Sequence, residues 1–380
     1  MELGFFLQGS FYLSFLISIL AFIAVLSIIV FIHEYGHFQV GRWFGVKIEA
    51  FSIGFGRELI GYTDRHGTRW KICPWPIGGY VRFEGDANAA SIPDAKVVHS
   101  PTSLHAKPVW QRALIVAAGP FANFLLAIAI FSVAFMIMGK AYVEPKVGEV
   151  KVGSAAALAG ILPGDYIRSI DGTEATSFSD LQRLVWFKAG RELKVVVERQ
   201  GEQRTLTLVP SSFEESDNFG GKISRGVLGV SSIAGKEALK ITYFTPGQAI
   251  IQGCKETWGI LTATVEFIGN LISGHQSVKQ IGGAASIAKG AGDAVSNGPM
   301  NFVIYIAFLS ISIGLINLFP VPMLDGGHLV FYALEALRGK PLGPHAQEWG
   351  FRIGLSFVVM LMLVGVVNDG GRIFNVVFGT

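Results

Sequence analysis

The sequence predicts a polytopic α-helical membrane protein with four transmembrane helices, a membrane-associated β-hairpin or sheet region and one small α+β domain. Three observations lead to this prediction. Hydrophobic residues make up 51% of the 380 residues and charged residues only 16%, against about 25% in an average soluble domain. Four long apolar runs are nearly free of charge. A polar stretch with strand and turn signals separates the second run from the third.

The four apolar runs have the length that a membrane span requires. Residues 11–32, 113–138 and 302–324 each reach the roughly 20 apolar residues of a spanning helix. The fourth run is shorter, and a snorkelling Arg352 extends it to residues 351–369. A cleaved signal peptide has basic residues before its apolar segment. No basic residue precedes the first run here, so we expect this run to be retained as a span.

The distribution of basic residues predicts the orientation of the spans. Ten Lys and Arg residues lie between the first two spans, and none precedes the first. By the positive-inside rule that loop is cytoplasmic and the N-terminus lies outside. Four spans then place residues 139–300 outside, residues 325–352 inside and the C-terminus outside. The formal net charge of +3 gives no support to nucleic-acid binding.

The membrane core is predicted to comprise residues 1–138 and 301–380. The loop after the first span contains a β-region over residues 46–85, with short strands at 51–56 and 77–83. Both strands are too apolar for a plain solvated loop. Non-helical backbone at the depth of the membrane survives only where protein or water satisfies its polar groups, so we expect this region to be associated with the membrane.

Residues 142–212 have the hairpin, turn and helix-capping signals of a small soluble α+β domain. Residues 213–300 are predicted as a linker followed by an interfacial helix. Within them we expect one strand at 227–230, the interfacial helix over 247–272, and a loop-like segment over 280–300 because that segment is rich in Gly and Ala.

His33-Glu34-Tyr35-Gly36-His37, at the end of the first apolar run, is the sharpest motif in the chain. Residues i and i+4 lie on one face of a helix, so both imidazoles can reach a single zinc ion that keeps one position open for water. Glu34 is placed to deprotonate the zinc-bound water. The pattern also occurs by chance on soluble helices. Ionisable groups in a span, however, cost about 2.5–3.5 kcal/mol each and are functional by default.

Asp325 is the candidate for a third metal ligand. It follows the third span, where two prolines break the helix and Gly326-Gly327 frees the backbone, so the carboxylate can turn inward at the membrane boundary. The predicted topology places it on the same side of the bilayer as His33 and His37. The alternative is an Asp-Gly-Gly turn that only ends the helix, which is the fate of most such tripeptides. The HExxH motif favours the ligand.

Asn123 places an amide in the middle of the second span, where it must find a partner or face water. An interhelical hydrogen bond and a role in the active site are equally compatible with this position.

The strand over residues 77–83 contains Gly78, Gly79 and Tyr80, and its edge can pair with an extended peptide. A peptide bond inside a transmembrane helix is shielded by its own turns, so a substrate must unwind locally and would add to such an edge. The alternative is a hairpin that only braces the cytoplasmic loop.

Three ordered motifs resemble those of the site-2 protease family of intramembrane zinc metalloproteases. They are HEYGH at residues 33–37, GPFANF at residues 119–124 and the segment from Asn317 to His328, which contains Asp325-Gly-Gly. The resemblance covers nearly the whole chain. The four-span layout, with an outside domain between the second and third spans, is similar to the bacterial branch that releases an envelope-stress sigma factor by cutting its anti-sigma factor.

The resemblance implies a metalloendopeptidase with one zinc ion per chain. The two histidines of HEYGH and Asp325 would hold the zinc, and Glu34 would act as the general base. Asn123 and Asn317 would help to shape the active site. The implied substrates are single-span membrane proteins, such as a trimmed anti-sigma factor or remnant signal peptides. An upstream site-1 protease would act on the same substrates.

The resemblance also implies a location in the bacterial inner membrane, with the active site toward the cytoplasmic side. Residues 142–212 resemble a PDZ domain, with Gly-Ser-Ala-Ala-Ala at 153–157 and Leu-Pro-Gly-Asp at 162–165 as its recognisable parts. This domain would be periplasmic, and the best-known members of the branch carry two. It either binds a substrate C-terminus in its groove or blocks bulky ectodomains.

Two other functions are compatible with parts of the pattern. One is a catalytically inactive membrane scaffold that binds peptides through its PDZ-like domain. The other is a metal transporter, which would spread polar groups across several spans. The ionisable groups here gather at the ends of the first and third spans instead, and that arrangement favours a fixed site.

Overall fold

The computed structural model describes residues 2–86, 100–216, 222–233, 239–274 and 276–378. The helices are α1 (Glu2–Trp43), α2 (Val109–Met138), α3 (Ala155–Leu158), α4 (Phe178–Trp186), α5 (Pro246–Ile272), α6 (Ala284–Ser296), α7 (Pro299–Asn317), α8 (Asp325–Arg338) and α9 (Pro344–Phe378). The strands are β1 (Ile48–Phe55), β2 (Ile60–Thr63), β3 (Arg69–Ile72), β4 (Trp75–Phe83), β5 (Lys140–Val143), β6 (Val147–Val150), β7 (Tyr166–Ile170), β8 (Thr173–Glu174), β9 (Leu193–Arg199), β10 (Glu202–Leu208), β11 (Ser211–Ser216), β12 (Lys222–Val227), β13 (Val230–Ser232) and β14 (Leu239–Thr242).

Four helices in this described part of the chain are long and apolar enough to cross a membrane: α1, α2, α7 and α9. They agree with the four predicted spans in number and order, but their bounds differ. α1 continues to Trp43, so HEYGH lies inside the helix. α7 ends at Asn317, seven residues before the predicted end of the third span, because the two prolines that follow cannot continue a helix. α9 extends the fourth span to Phe374.

The chain divides into two compact units. The first comprises Met1–Ser132, Ile250–Leu261 and Gly282–Val367, and it contains most of both predicted parts of the membrane core. The second comprises Val133–Ala249, Thr262–Ile281 and Asn368–Thr380.

In the first unit, α1 packs against α6 and α7 through a cluster of apolar side chains centred on the fully buried Val25 and Ile29. Here the prediction of a loop over residues 280–300 was wrong, because Ala284–Ser296 forms α6. Its small residues allow close packing. A side chain at Gly292 would begin within 2.0 Å of Ser18 Oγ on α1.

The β-region of the first unit is a four-stranded sheet with the order β2-β3-β1-β4. The two predicted apolar strands are present as β1 and β4, and they pair with each other. β2 and β3 lie between them in sequence and extend the sheet on the other side of β1. Phe51 on β1 stacks on Trp70 of β3, and both contact Phe38 of α1. This aromatic cluster fixes the sheet against the first membrane helix. Within the described chain β4 is an edge strand.

The second unit contains the α+β domain, built on a sheet with the order β10-β9-β7-β8. Ile167, Val195 and Val197 are fully buried in its core. Gln200 and Gly201 adopt positive φ angles of 53° and 87° between the paired residues of β9 and β10. That conformation is the favoured two-residue turn of a hairpin, so the predicted hairpin is present.

The α+β domain extends further along the chain than residue 212. β13 pairs with β6, and β12 pairs with β11. The described residues 211–216 and 222–232 therefore complete the domain, whereas the sequence predicted a linker from residue 213 with one strand at 227–230. Gly229, with a φ of +80°, separates β12 from β13. The helix predicted over 247–272 is present as α5, and its interfacial position stays a prediction.

Candidate metal centre

His33 and His37 project from the same face of α1, one turn apart, and both are only 8% exposed. The helix is strongly apolar before them, so the two imidazoles lie near the end of a segment that has the composition of a membrane span. Two ring nitrogens, one from each imidazole, approach within 3.3 Å.

Asp325 is the first residue of α8, which begins after the irregular segment 318–324. The sharp return of the chain depends on Gly326 and Gly327. A side chain on Gly326 would lie 2.2 Å from the Phe319 carbonyl oxygen, and one on Gly327 would lie 2.4 Å from that of Val321. These glycines are thus needed for close packing, whereas the sequence suggested that they free the backbone. Met323 has a positive φ of 86°, which is a strained conformation for a residue with a side chain.

The structure brings Asp325 to the two histidines. Its Oδ2 atom lies 3.1 Å from Nε2 of His33 and 3.5 Å from Nε2 of His37. A tetrahedral zinc ion with bonds of about 2.0–2.2 Å separates its ligand atoms by about 3.3–3.6 Å. Oδ2 is buried and accepts no hydrogen bond of acceptable geometry within the described chain. The three side chains therefore fit a zinc ion, which would satisfy that oxygen.

α2 supports the histidines from the other side. The carbonyl oxygen of Ile115 lies 2.9 Å from Nδ1 of His37, so Nδ1 carries the proton and the lone pair of Nε2 points to Asp325. Gly119 makes room for this ring, because a side chain there would begin 2.2 Å from Nε2 of His37. Gly36 in turn allows α1 and α2 to approach, since its missing side chain would lie 2.3 Å from the Ala118 carbonyl oxygen.

Glu34 lies between the two histidines on α1 and faces β4. The backbone N–H of Val81 faces its carboxylate. A side chain at Gly79 would begin 3.1 Å from Cγ of Glu34 and 2.7 Å from the Ser52 carbonyl oxygen. The strand can lie this close to the candidate general base only because residue 79 has no side chain.

The other predicted site residues occupy different positions. Gly78 has a φ of +117° and faces the Phe55 ring, and Tyr80 stacks on the same ring with centroids 6.0 Å apart. Asn123 is fully buried, and its Nδ2 lies 3.2 Å from Nδ1 of His33. Asn317 is the last residue of α7, eight positions before Asp325. Its role in the active site stays a prediction.

Sequence reasoning missed several groups that surround the centre. Gly119 is the first residue of the GPFANF motif. Its spacing of four residues from Asn123 places both on one face of a helix, and this spacing could have indicated that Gly119 faces the site. The carbonyl of Ile115 and the N–H of Val81 are backbone groups that no residue pattern reveals. An ion pair between Arg112 of α2 and Glu335 of α8 joins parts of the chain that are far apart in sequence.

An HExxH pair on an apolar membrane helix and a distant aspartate at the start of α8 define the class of integral membrane metalloproteases. The chain belongs to peptidase family M50, whose model matches residues 21–361. This match and the relatives below support zinc as its metal. The protein is thus a multi-pass membrane metalloendopeptidase.

Relatives in several bacteria are similar to this chain over nearly their full length. A protein of Agrobacterium fabrum, named as a candidate zinc metalloprotease, is 46% identical over 357 residues, which cover 92% of this chain and 95% of the relative. A Rhizobium meliloti protein with the same description is 46% identical, over 94% of this chain and 97% of the relative. The metalloprotease MmpA of Caulobacter vibrioides is 39% identical, over 95% and 97%.

Among solved structures, the PDZ domain of an SdrC-like protein from Listeria monocytogenes is 20% identical. The alignment covers 25% of this chain and 88% of that domain, with a TM-score of 0.19. A score this low carries no argument about the fold, and the PDZ-like character of the α+β domain stays a prediction.

Proposed function

We propose that this protein cuts single-span membrane proteins inside or at the edge of the bilayer, with one zinc ion per chain held by His33, His37 and Asp325. The observation that carries the proposal is the cluster of three ligand atoms at 3.1–3.5 Å, two of them on the apolar helix α1 and one at the start of α8. Zinc, when bound, supplies Lewis acidity for water and for the peptide carbonyl. Glu34, which directly follows His33 in sequence, takes the proton of the attacking water and passes it to the leaving nitrogen.

The edge of β4 that faces away from β1 is the proposed receptor for the unwound substrate. Phe83 directs its N–H to the Asp86 carboxylate, away from β1, and Val81 directs its N–H toward Glu34. Strand periodicity gives Gly79 the same outward direction. An extended substrate that accepts a hydrogen bond from this N–H would lie beside Glu34, where its peptide bond can be attacked.

A groove in the α+β domain supports docking of a substrate terminus. It has a volume of about 280 Å³ and lies between α4 and the segment that contains Gly229. Lys151 and Arg225 line it together with apolar side chains, and cations of this kind suit a terminal carboxylate. We propose that the domain is periplasmic in the bacterial inner membrane and binds substrates that an upstream protease has trimmed. If it acts as a filter instead, deleting residues 142–232 will increase cleavage of untrimmed substrate.

The test is metal analysis and cleavage of a single-span substrate by the full chain in detergent. We expect wild type to hold about one zinc per chain and to cleave. Glu34→Gln should keep zinc and lose cleavage, and Asp325→Ala should lose both. Wild type without stoichiometric zinc, or Asp325→Ala with full zinc, would contradict the assigned site. A Glu34→Gln variant with unchanged biological effect would favour the scaffold.

A further inference from the structure

Among the described residues, the side-chain amide of Asn123 beside His33 has one polar atom with a hydrogen-bond partner and one without. Nδ2 of Asn123 faces Nδ1 of His33 at 3.2 Å, while Oδ1 of the same amide is buried without a hydrogen-bond partner in the described chain. If Nδ2 donates to Nδ1, the proton of His33 must reside on Nε2. That proton would point at Oδ2 of Asp325, 3.1 Å away, and would block Nε2 as a metal ligand.

Rotating the amide of Asn123 by half a turn removes the conflict at His33 and gives Oδ1 a donor, since its nitrogen and oxygen exchange places. Oδ1 then accepts the Nδ1 proton of His33, and the Nε2 lone pair is free. His33 thereby takes the same tautomer as His37, whose Nδ1 donates to the Ile115 carbonyl. The two acceptors stand two helical turns apart on α2, so a single helix orients both rings.

We propose that Asn123 is a positioning residue of the metal centre, which orients His33 and fixes its tautomer through its side-chain oxygen. The inference rests on the proposed function, because it presupposes that His33 binds zinc. Outer hydrogen bonds of this kind hold ligand imidazoles in position and raise their basicity. The backbone of Asn123 is itself anchored, because its carbonyl oxygen accepts a 2.9 Å hydrogen bond from the buried Ser310 hydroxyl of α7.

The test compares zinc affinity, measured by chelator competition on the full chain in detergent, among four proteins. Asn123→Leu has nearly the shape of asparagine and cannot accept the proton, so affinity should fall about 10–100-fold. Asn123→Asp keeps the acceptor and loses the amide donor, so it should stay within about threefold of wild type. Ser132→Ala, which removes a buried hydroxyl of α2 that bonds to the Ile128 carbonyl of the same helix, is the control for altered packing, and it should bind zinc like wild type.

The aspartate variant decides the direction of the hydrogen bond. If Nδ2 were the donor, Asn123→Asp would lose zinc as strongly as Asn123→Leu, and that result would overturn the proposal. Wild-type affinity in Asn123→Leu would overturn it as well. Cobalt spectra of each loaded variant report tetrahedral geometry independently of cleavage, and a wild-type spectrum in Asn123→Leu would likewise count against the role. Absence of zinc from wild type would refute the proposed site itself.

Discussion

The guanidinium of Arg112 donates hydrogen bonds of 2.6 and 3.1 Å to the two carboxylate oxygens of Glu335. The side chains are only 11% and 14% exposed, and the guanidinium also lies over the Tyr332 ring. Arg112 belongs to α2, which supports the histidines, and Glu335 belongs to α8, whose first residue is Asp325. This buried pair therefore fixes the aspartate-bearing helix to the helix that orients the histidines.

Replacing Glu335 with alanine should destabilise the protein by about 3 kcal/mol, because it leaves a buried guanidinium without its anion. Zinc affinity should fall with stability, since α8 loses its attachment. Thermal unfolding in detergent and zinc titration measure the two effects. Glu348→Ala is the matched control, because Glu348 and Arg352 are 57% and 65% exposed. It should change stability by less than about 0.5 kcal/mol, and equal effects of the two variants would contradict the assignment.

Gly119→Ala should reduce zinc affinity at least about tenfold and reduce cleavage with it. The added carbon would begin 2.2 Å from Nε2 of His37, so this ring would have to leave its position. Chelator competition measures the affinity. Gly269→Ala makes the same substitution in α5, where nothing lies within 4 Å. It should gain about 0.5–1 kcal/mol of stability and keep zinc. Full zinc affinity in Gly119→Ala would show that the ring is not confined there.

Gly79→Pro should lose cleavage while retaining zinc, because proline removes the outward N–H that we assign to substrate pairing. The added side chain also collides with the Ser52 carbonyl, so Gly79→Ala is the matched control: it adds the same first carbon and keeps the N–H. Rates of cleavage and zinc content of both variants separate the two effects. If both variants cleave equally slowly, sterics rather than edge pairing explain the loss.

Asp165→Asn should lower the stability of the α+β domain at neutral pH. It should also reduce the loss of stability that the domain undergoes as the pH falls. Burial raises the pKa of Asp165, but hydrogen bonds from Arg199 and from the Leu162 N–H outweigh burial and lower the pKa overall. The unfolded chain, with a pKa near 3.9, therefore binds the proton first. The contribution of the Asp165 carboxylate to stability is present above about pH 4, and it is lost as the pH falls through the pKa of this group in the folded protein.

Hydrogen exchange of β7 and β9 in the full chain, corrected for the intrinsic effect of pH, measures this change. Glu202→Gln is the control, because the Glu202 side chain is 74% exposed beside Arg204. It should leave the acid profile unchanged. An Asp165→Asn variant with the wild-type profile would mean that other groups carry the acid sensitivity.

The sequence was sufficient for features that depend on local periodicity. Four apolar runs required four spans, and the i, i+4 spacing of His33 and His37 required a shared helix face. Long-range pairing was not accessible. Nothing local pairs β13 with β6, so the residues from 213 onward were interpreted as a linker. The Gly and Ala residues of α6 suggested a loop, because their role in close packing appears only when Ser18 of α1 lies opposite Gly292.

The site was predicted in outline by the same logic. The bend before Asp325 followed from the two prolines in the segment 318–324. The exact partners on α2 did not follow, because a carbonyl at Ile115 and an empty space at Gly119 depend on how two helices dock. Sequence patterns identify side chains that can bind a metal or transfer a proton. They do not identify the backbone groups that hydrogen-bond to these side chains, or the glycines that leave room for them.

The wide separation of the metal donors along the chain has a consequence for biosynthesis. Both imidazoles leave the ribosome long before Asp325, and at about 5–20 residues per second the interval is on the order of 15–60 s. During that time the nascent polypeptide holds two of its three donors and cannot assemble the hydrolytic centre. Under the proposed ligand set, newly inserted helices of neighbouring proteins are therefore safe from a half-made protease, and activity begins only after Asp325 has left the ribosome.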